Sequence, residues 1–192
     1  MDEPESEDTA WREELRGLTQ RHPRAGWASR TDLGAVARFW LQRHEGFRRL
    51  DEIIRSGIEG ALEQRMDAAA FRPWLSRHLG WSLWQLEEHH QVEDHHYFPL
   101  FRRAEPRLAP GFELLERDHS ALHTAIGEII ERANAVLASE APGPDQVRTD
   151  LARLRDAQVG LGRALIRHLD DEEDLVIPLL LERGERFLIG GA

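Results

Sequence analysis

The stretch HHQVEDHHYFPLF, His89–Phe101, holds four of the chain's ten histidines, two acids, and then a proline inside what should be helix. A second stretch, HLDDEEDLVIPLL (His168–Leu180), superimposes on it when the prolines are aligned: His89 falls on His168, Glu93 on Glu172 and Pro99 on Pro178. Both read His-x-x-x-Glu, a spacing that puts two ligand-type side chains one turn apart on the same helical face. Whether that face meets water or the interior decides both fold and function.

The residues in phase with it are apolar. Around His168 the stripe runs Leu154, Gln158, Leu161, Leu165, His168, Glu172, Leu175, Leu179, with steps of four and three that mark a bundle-facing seam. Around His89 it runs Leu75, Leu79, Ser82, Leu86, His89, Glu93, His96, Leu100. Two further segments show the same period. One carries Leu33, Ala37, Trp40, His44, Phe47, Asp51, Ile54 and Ile58; the other carries Phe112, Leu115, His119, Leu122, Ile126, Ile129 and Ala133, with His123 one turn from His119. Every stripe includes at least one histidine, so these groups are expected to point inward.

Breaks at RHPRAGWAS, DAAAFRP, AEPRLAPG and SEAPGPD separate the four periodic segments, and none of the segments alternates with period two as a half-buried strand would. Ser29 and Asp32 have capping-box spacing before the first segment, and Asp145 is placed to cap the last. The expected fold is all-α: an antiparallel up-down-up-down four-helix bundle over residues 31–183. It is preceded by an acidic N-terminal arm, 1–30, loosely structured or with a short helix near Trp11–Thr19, and followed by a tail, 184–192. Pro99 and Pro178 should kink or end their helices, since each lacks a backbone donor. Trp40, Trp81 and Trp84 read as core packing.

Composition excludes several functions. The 192 residues carry a net charge of −10, which argues against a nucleic-acid partner. All 25 basic residues are arginine, and cysteine is absent, so thiolate zinc sites and iron–sulfur clusters are ruled out. No apolar run approaches the ~20 residues of a membrane span, and the acidic opening MDEPESEDTAWREE is the reverse of a signal peptide. A cytoplasmic protein without a membrane partner is expected.

A lone histidine on an apolar stripe is usually a satisfied core residue. Two glutamates among five histidines on facing stripes, with no arginine in phase, are another matter. An ionised carboxylate buried without a partner is too costly to persist, so this set calls for a cation. The candidates are His44, His89, Glu93, His119, His123, His168 and Glu172. Seven side chains exceed the six positions of one octahedral ion. Two metals bridged by the two glutamates is the natural arrangement. Imidazoles with few anionic oxygens suit iron, copper or zinc better than magnesium or calcium.

The isolated His44, then HHQVEDHHYFP, DHSALH and HLDDEEDLVIP, in order on four segments, resemble a hemerythrin-like (HHE cation-binding) domain over roughly residues 31–183. The resemblance implies a non-heme di-iron centre. His119, His123 and His168 would hold one iron and His44 and His89 the other, with Glu93, Glu172 and an oxo or hydroxo group between them. The second iron would keep an open position for oxygen, peroxide or nitric oxide. His168-x-x-x-Glu172 departs from the His-x-x-x-x-Asp spacing of the oxygen carriers, which shifts weight from oxygen storage to sensing or handling of oxidants. The alternatives are a di-iron enzyme decomposing peroxide or nitric oxide, or a non-catalytic iron-responsive protein. His96 and Tyr97 are candidates for hydrogen bonds to a bridge or bound ligand, while His90 and His95 fall outside the stripe and His78 lies too far along the axis.

Overall fold

The computed structural model describes residues 7–138 and 143–188. The first six residues of the acidic arm, most of the SEAPGPD loop and the last four residues of the tail lie outside the described residues. Among those described the chain is all-helical, without a strand: α1 (Glu7–Arg21), α2 (Ala35–Leu62), α3 (Ala68–Val92), α4 (Phe98–Ala104), α5 (Ala109–Ala138) and α6 (Pro144–Arg183). A π-helical segment, Glu93–Tyr97, joins α3 to α4 without a break. No helix among the described residues is long and apolar enough to cross a membrane.

The chain divides into two compact units. The first comprises Met1–His44, His90–His119 and His168–Ala192; the second comprises Glu45–His89 and Ser120–Arg167. The first unit has an aromatic-rich core of Trp27, Trp40, Phe98, Phe101 and Phe112 packed with Leu18, Leu108 and the run Leu175–Leu180. The segment expected to be a loose arm or a short helix is a 15-residue helix, α1, that buries Trp11 and Leu18. A 3-10 turn, Arg24–Ser29, follows and buries Trp27. The start of α2 is not closed by Ser29 and Asp32: Ser29 bonds the Gly26 carbonyl (2.9 Å) and Asp32 pairs with Arg30 (2.6 Å). Glu185, beyond α6, accepts instead from the Ala37 N–H (2.9 Å), a carboxylate at a helix N-terminus where the dipole favours it.

The second unit buries Ile54, Ile58, Leu75, Leu79, Leu86, Ile129 and Leu154. Here Asp51 accepts from Gln158 Nε2 (2.8 Å); burial raises the Asp51 carboxyl and the amide partly offsets this. Trp81 and Trp84 do not join the core and are 51% and 57% exposed. Gly57 meets the Trp74 ring so closely that an added Cβ would lie 1.9 Å from it. Overpacking typically costs about 1–3 kcal/mol, so Gly57→Ala is expected to destabilise the protein by about that much. Denaturant unfolding would read this as a lowered midpoint with an unchanged slope.

The stripes of α2, α5 and α6 are buried at every expected position except Asp51, which is half-buried. On α3 and the turn after it Leu75, Leu79, Leu86 and Glu93 are buried and Ser82 and His89 half-buried; beyond Glu93 the pattern slips. The Phe98 N–H reaches the Glu93 carbonyl five residues back, so the π turn inserts one residue into the period. Its inward positions become Phe98 and Phe101, with Tyr97 half-buried, and His96 is exposed. Pro99 gives the slip a reason: in a regular helix its ring would collide with the His95 carbonyl, and the wider turn relieves that collision. Pro178 neither ends α6, which runs on to Arg183, nor needs such a segment.

Candidate metal centre

Six side chains of the first unit converge on the buried end of its core: His44 from α2, His90 from α3, Glu93 from the π segment, His119 from α5, and His168 and Glu172 from α6. All are at most 1% exposed. His90, His119 and His168 each offer a ring nitrogen, and these atoms lie within 4.8 Å of one another; a ring nitrogen of His44 and one carboxylate oxygen each from Glu93 and Glu172 form a second group within the same distance. The His90 ring stacks on His119 at 4.0 Å and meets His168 edge-on at 5.6 Å.

The outward nitrogens fix how the rings are aimed. His119 Nδ1 lies 2.8 Å from Asp94 Oδ1, His44 Nδ1 is 3.0 Å from Glu173 Oε1, and His168 Nδ1 is 3.9 Å from Asp118 Oδ2. A carboxylate can only accept, so Nδ1 of His119 and of His44 carries the proton and the Nε2 lone pair turns inward. Those Nε2 atoms meet near the glutamates. His119 Nε2 is 3.1 Å from His168 Nε2 and 3.6 Å from Glu93 Oε2. Glu172 faces both ways: Oε2 lies 3.3 Å from His168 Nε2, and Oε1 lies 3.6 Å from His44 Nε2. Trp40 Nε1 donates to the same Oε1 at 2.5 Å.

The electrostatics suit a cation. Burial, and then the neighbouring Glu172 carboxylate, push Glu93 well above the usual carboxylate range. Burial and the nearby His168 lower His119. Burial would also lower His168, but Asp118 and Glu172 more than reverse this and hold it at about 9. Protons thus sit where positive charge is needed. The residues fit a metal: two nitrogens at right angles on one ion, each bonded at about 2.1 Å, would lie about 3 Å apart, close to the observed separation of His119 and His168. Carboxylates behind ligand imidazoles are the usual orienting partners of metal sites.

The structure places His123, His90 and His96 differently from the seam pattern. His123 is 40% exposed at its side chain, with Nδ1 3.1 Å from Glu87 Oε2. The α5 seam steps from His119 to Leu122 and leaves His123 outside. His90 is fully buried instead, and the adjacent pair His89-His90 was its signal, since neighbouring helical residues can serve two sites 100° apart. His89 belongs to the second unit, where its ring lies 4.9 Å from Phe47. His96, turned outward by the π segment, meets the edge of the Tyr97 ring (4.9 Å). Tyr97 packs edge-on against Trp40 at 4.9 Å. Glu173, Asp94, Asp118 and Trp40 were not foreseen as parts of the site.

No curated protein and no solved structure matches the chain. The profile of one family does, that of the hemerythrin HHE cation binding domain, over residues 35–180. That span runs from the start of α2 to near the end of α6 and includes every side chain that converges here, so the chain belongs to the hemerythrin HHE cation-binding domain family.

Proposed function

We propose that this chain is a non-heme di-iron protein that binds oxygen, peroxide or nitric oxide in oxygen or oxidative-stress sensing or handling. In this reading the four long helices form an antiparallel up-down-up-down bundle. His90, His119 and His168 hold one iron, in place of the expected set with His123. His44 would hold the other, with Glu93 and Glu172 as the shared carboxylates and an oxo or hydroxo group completing the pair. The observation that carries it is the two-sided Glu172, with one oxygen toward His168 and the other toward His44.

Iron would supply redox chemistry and a coordination position open to a small ligand. The chain's own residues supply aim and environment. Asp94 and Glu173 hold the imidazole rings of His119 and His44 in one tautomer. Trp40 fixes one oxygen of Glu172. Phe98, stacked 5.6 Å from His119, excludes water from the three-histidine side. Tyr97, packed on Trp40, is the remaining candidate for a hydrogen bond to a bound ligand.

Two measurements test this. His90→Ala is expected to lower iron content per chain at least by half, while His123→Ala leaves it at the parent value; the reverse outcome would restore the sequence-based ligand set. Azide, nitric oxide and peroxide should each alter the absorption spectrum of the iron-loaded protein at about one equivalent per chain. A spectrum indifferent to all three would remove the small-ligand reading, and turnover of peroxide or nitric oxide would identify an enzyme.

A further inference from the structure

The family match begins at residue 35, yet a cation from before it reaches the site. Arg24 Nη1 lies 2.5 Å from Glu173 Oε2, and the other oxygen of that carboxylate is 3.0 Å from His44 Nδ1. Glu173 is buried, at 2% exposed. A carboxylate so placed needs a charged partner, and Arg24 supplies it.

Arg24 is itself held firmly. Its Nε and Nη2 both reach Asp174 Oδ1 (3.1 and 2.9 Å), and Nη2 donates to the Asp170 carbonyl (2.7 Å). Its guanidinium lies 5.0 Å over the Trp27 ring. Trp27 is 4% exposed and donates from Nε1 to the His22 carbonyl (2.9 Å). The turn Arg24–Ser29 is therefore anchored in the core on one side and in the α6 acids on the other. A fork-shaped guanidinium suits this better than an ammonium, because it spans several acceptors at fixed angles.

We propose that the N-terminal segment is a clamp on one half of the metal centre: Arg24 fixes Glu173, and Glu173 fixes the His44 ring so that Nε2 faces Glu172. Arg24 is a positioning residue, acting through Glu173 and touching no ligand atom. The clamp bears on the His44 side alone, because His119 and His168 are backed by Asp94 and Asp118. This rests on the reading that His44 holds a metal.

The test is zinc binding by the full chain, with Arg24→Gln, Arg24→Lys, Glu173→Gln and the double variant R24Q/E173Q. His44→Ala identifies which zinc equivalent belongs to His44. Changes behind a ligand histidine typically cost 10–100-fold in affinity. Arg24→Gln should weaken the His44 equivalent about tenfold and leave the other unchanged, and Arg24→Lys should restore part of the loss. The double variant should be no weaker than Glu173→Gln alone, as expected of residues acting in series. Should Arg24→Gln fold poorly, Asp174→Asn loosens Arg24 from the surface and should weaken the same equivalent by less. The clamp is overturned if Arg24→Gln binds both equivalents as the parent does, weakens both equally, or adds its full effect to Glu173→Gln. If the parent binds no zinc, the metal reading fails. The clamp is then judged by the His44 Nδ1–H resonance of the metal-free protein, which Arg24→Gln should shift and Arg24→Lys should largely restore; an unmoved resonance overturns it.

Discussion

Glu172→Gln should abolish loading of the pair of metals while the metal-free protein still folds. The amide keeps the shape of the side chain, and its oxygen can still accept from Trp40 Nε1. What it removes is the negative charge that faces His168 on one side and His44 on the other. Without metal that charge has opposing effects: it pairs with the protonated His168 ring, and it adds to burial in raising the Glu93 carboxyl well above its usual range. With metal it is the shared ligand. A ligand at a thousandfold excess over its dissociation constant contributes about 4 kcal/mol to stability, and the variant should lose most of that. The melting temperature of the parent should fall clearly on chelation, and that of Glu172→Gln should hardly move. A variant that retained both metals would contradict the two-sided role.

The second large effect is on pH dependence, where loaded and metal-free protein should move in opposite directions. His168 has a folded-state value of about 9 against an ordinary 6.5. The folded chain therefore keeps a proton that the unfolded chain releases. This contribution is complete below pH 6.5 and lost as pH rises through about 9, with an upper bound of about 3 kcal/mol. Glu93, raised above 4.5, acts in the same sense: keeping it neutral destabilises the folded state increasingly as pH climbs above its ordinary value. His119, lowered by burial and by His168, opposes them only below about pH 6.5. The metal-free protein should therefore lose stability most clearly between pH 6.5 and 9. Metal binding requires these same groups deprotonated, so affinity should rise over that range. The gap in melting temperature between loaded and metal-free protein should widen with pH. A gap that narrowed would mean that the converging groups do not bind the metal.

Much of this was legible in the sequence. Steps of three and four in α2, α5 and α6 placed Trp40, His44, His119, His168 and Glu172 in the interior, because an apolar seam of that period has only one way to bury itself. Reading failed where the period itself changed. The π segment at Glu93–Tyr97 adds a residue that no side chain announces, and only Pro99 hints at the need for it. From Tyr97 onward the inward face is one position later, which removes His96 from the site. His123 has ligand spacing from His119, but the buried seam runs through Leu122. His90 lies one position off the seam that carries His89, so a single-face pattern does not mark it. The contacts of Arg24 and Glu185 are beyond any local pattern. Arg24 meets residues 146–150 positions away, and Glu185 caps a helix that begins 150 residues before it.

The most direct test of the central claim is iron content per folded chain, measured on protein loaded under anaerobic conditions and freed of loosely bound metal. The parent should hold two irons, His44→Ala about one, and Glu172→Gln at most one. One iron or none in the parent, or two in Glu172→Gln, would contradict a carboxylate-bridged pair.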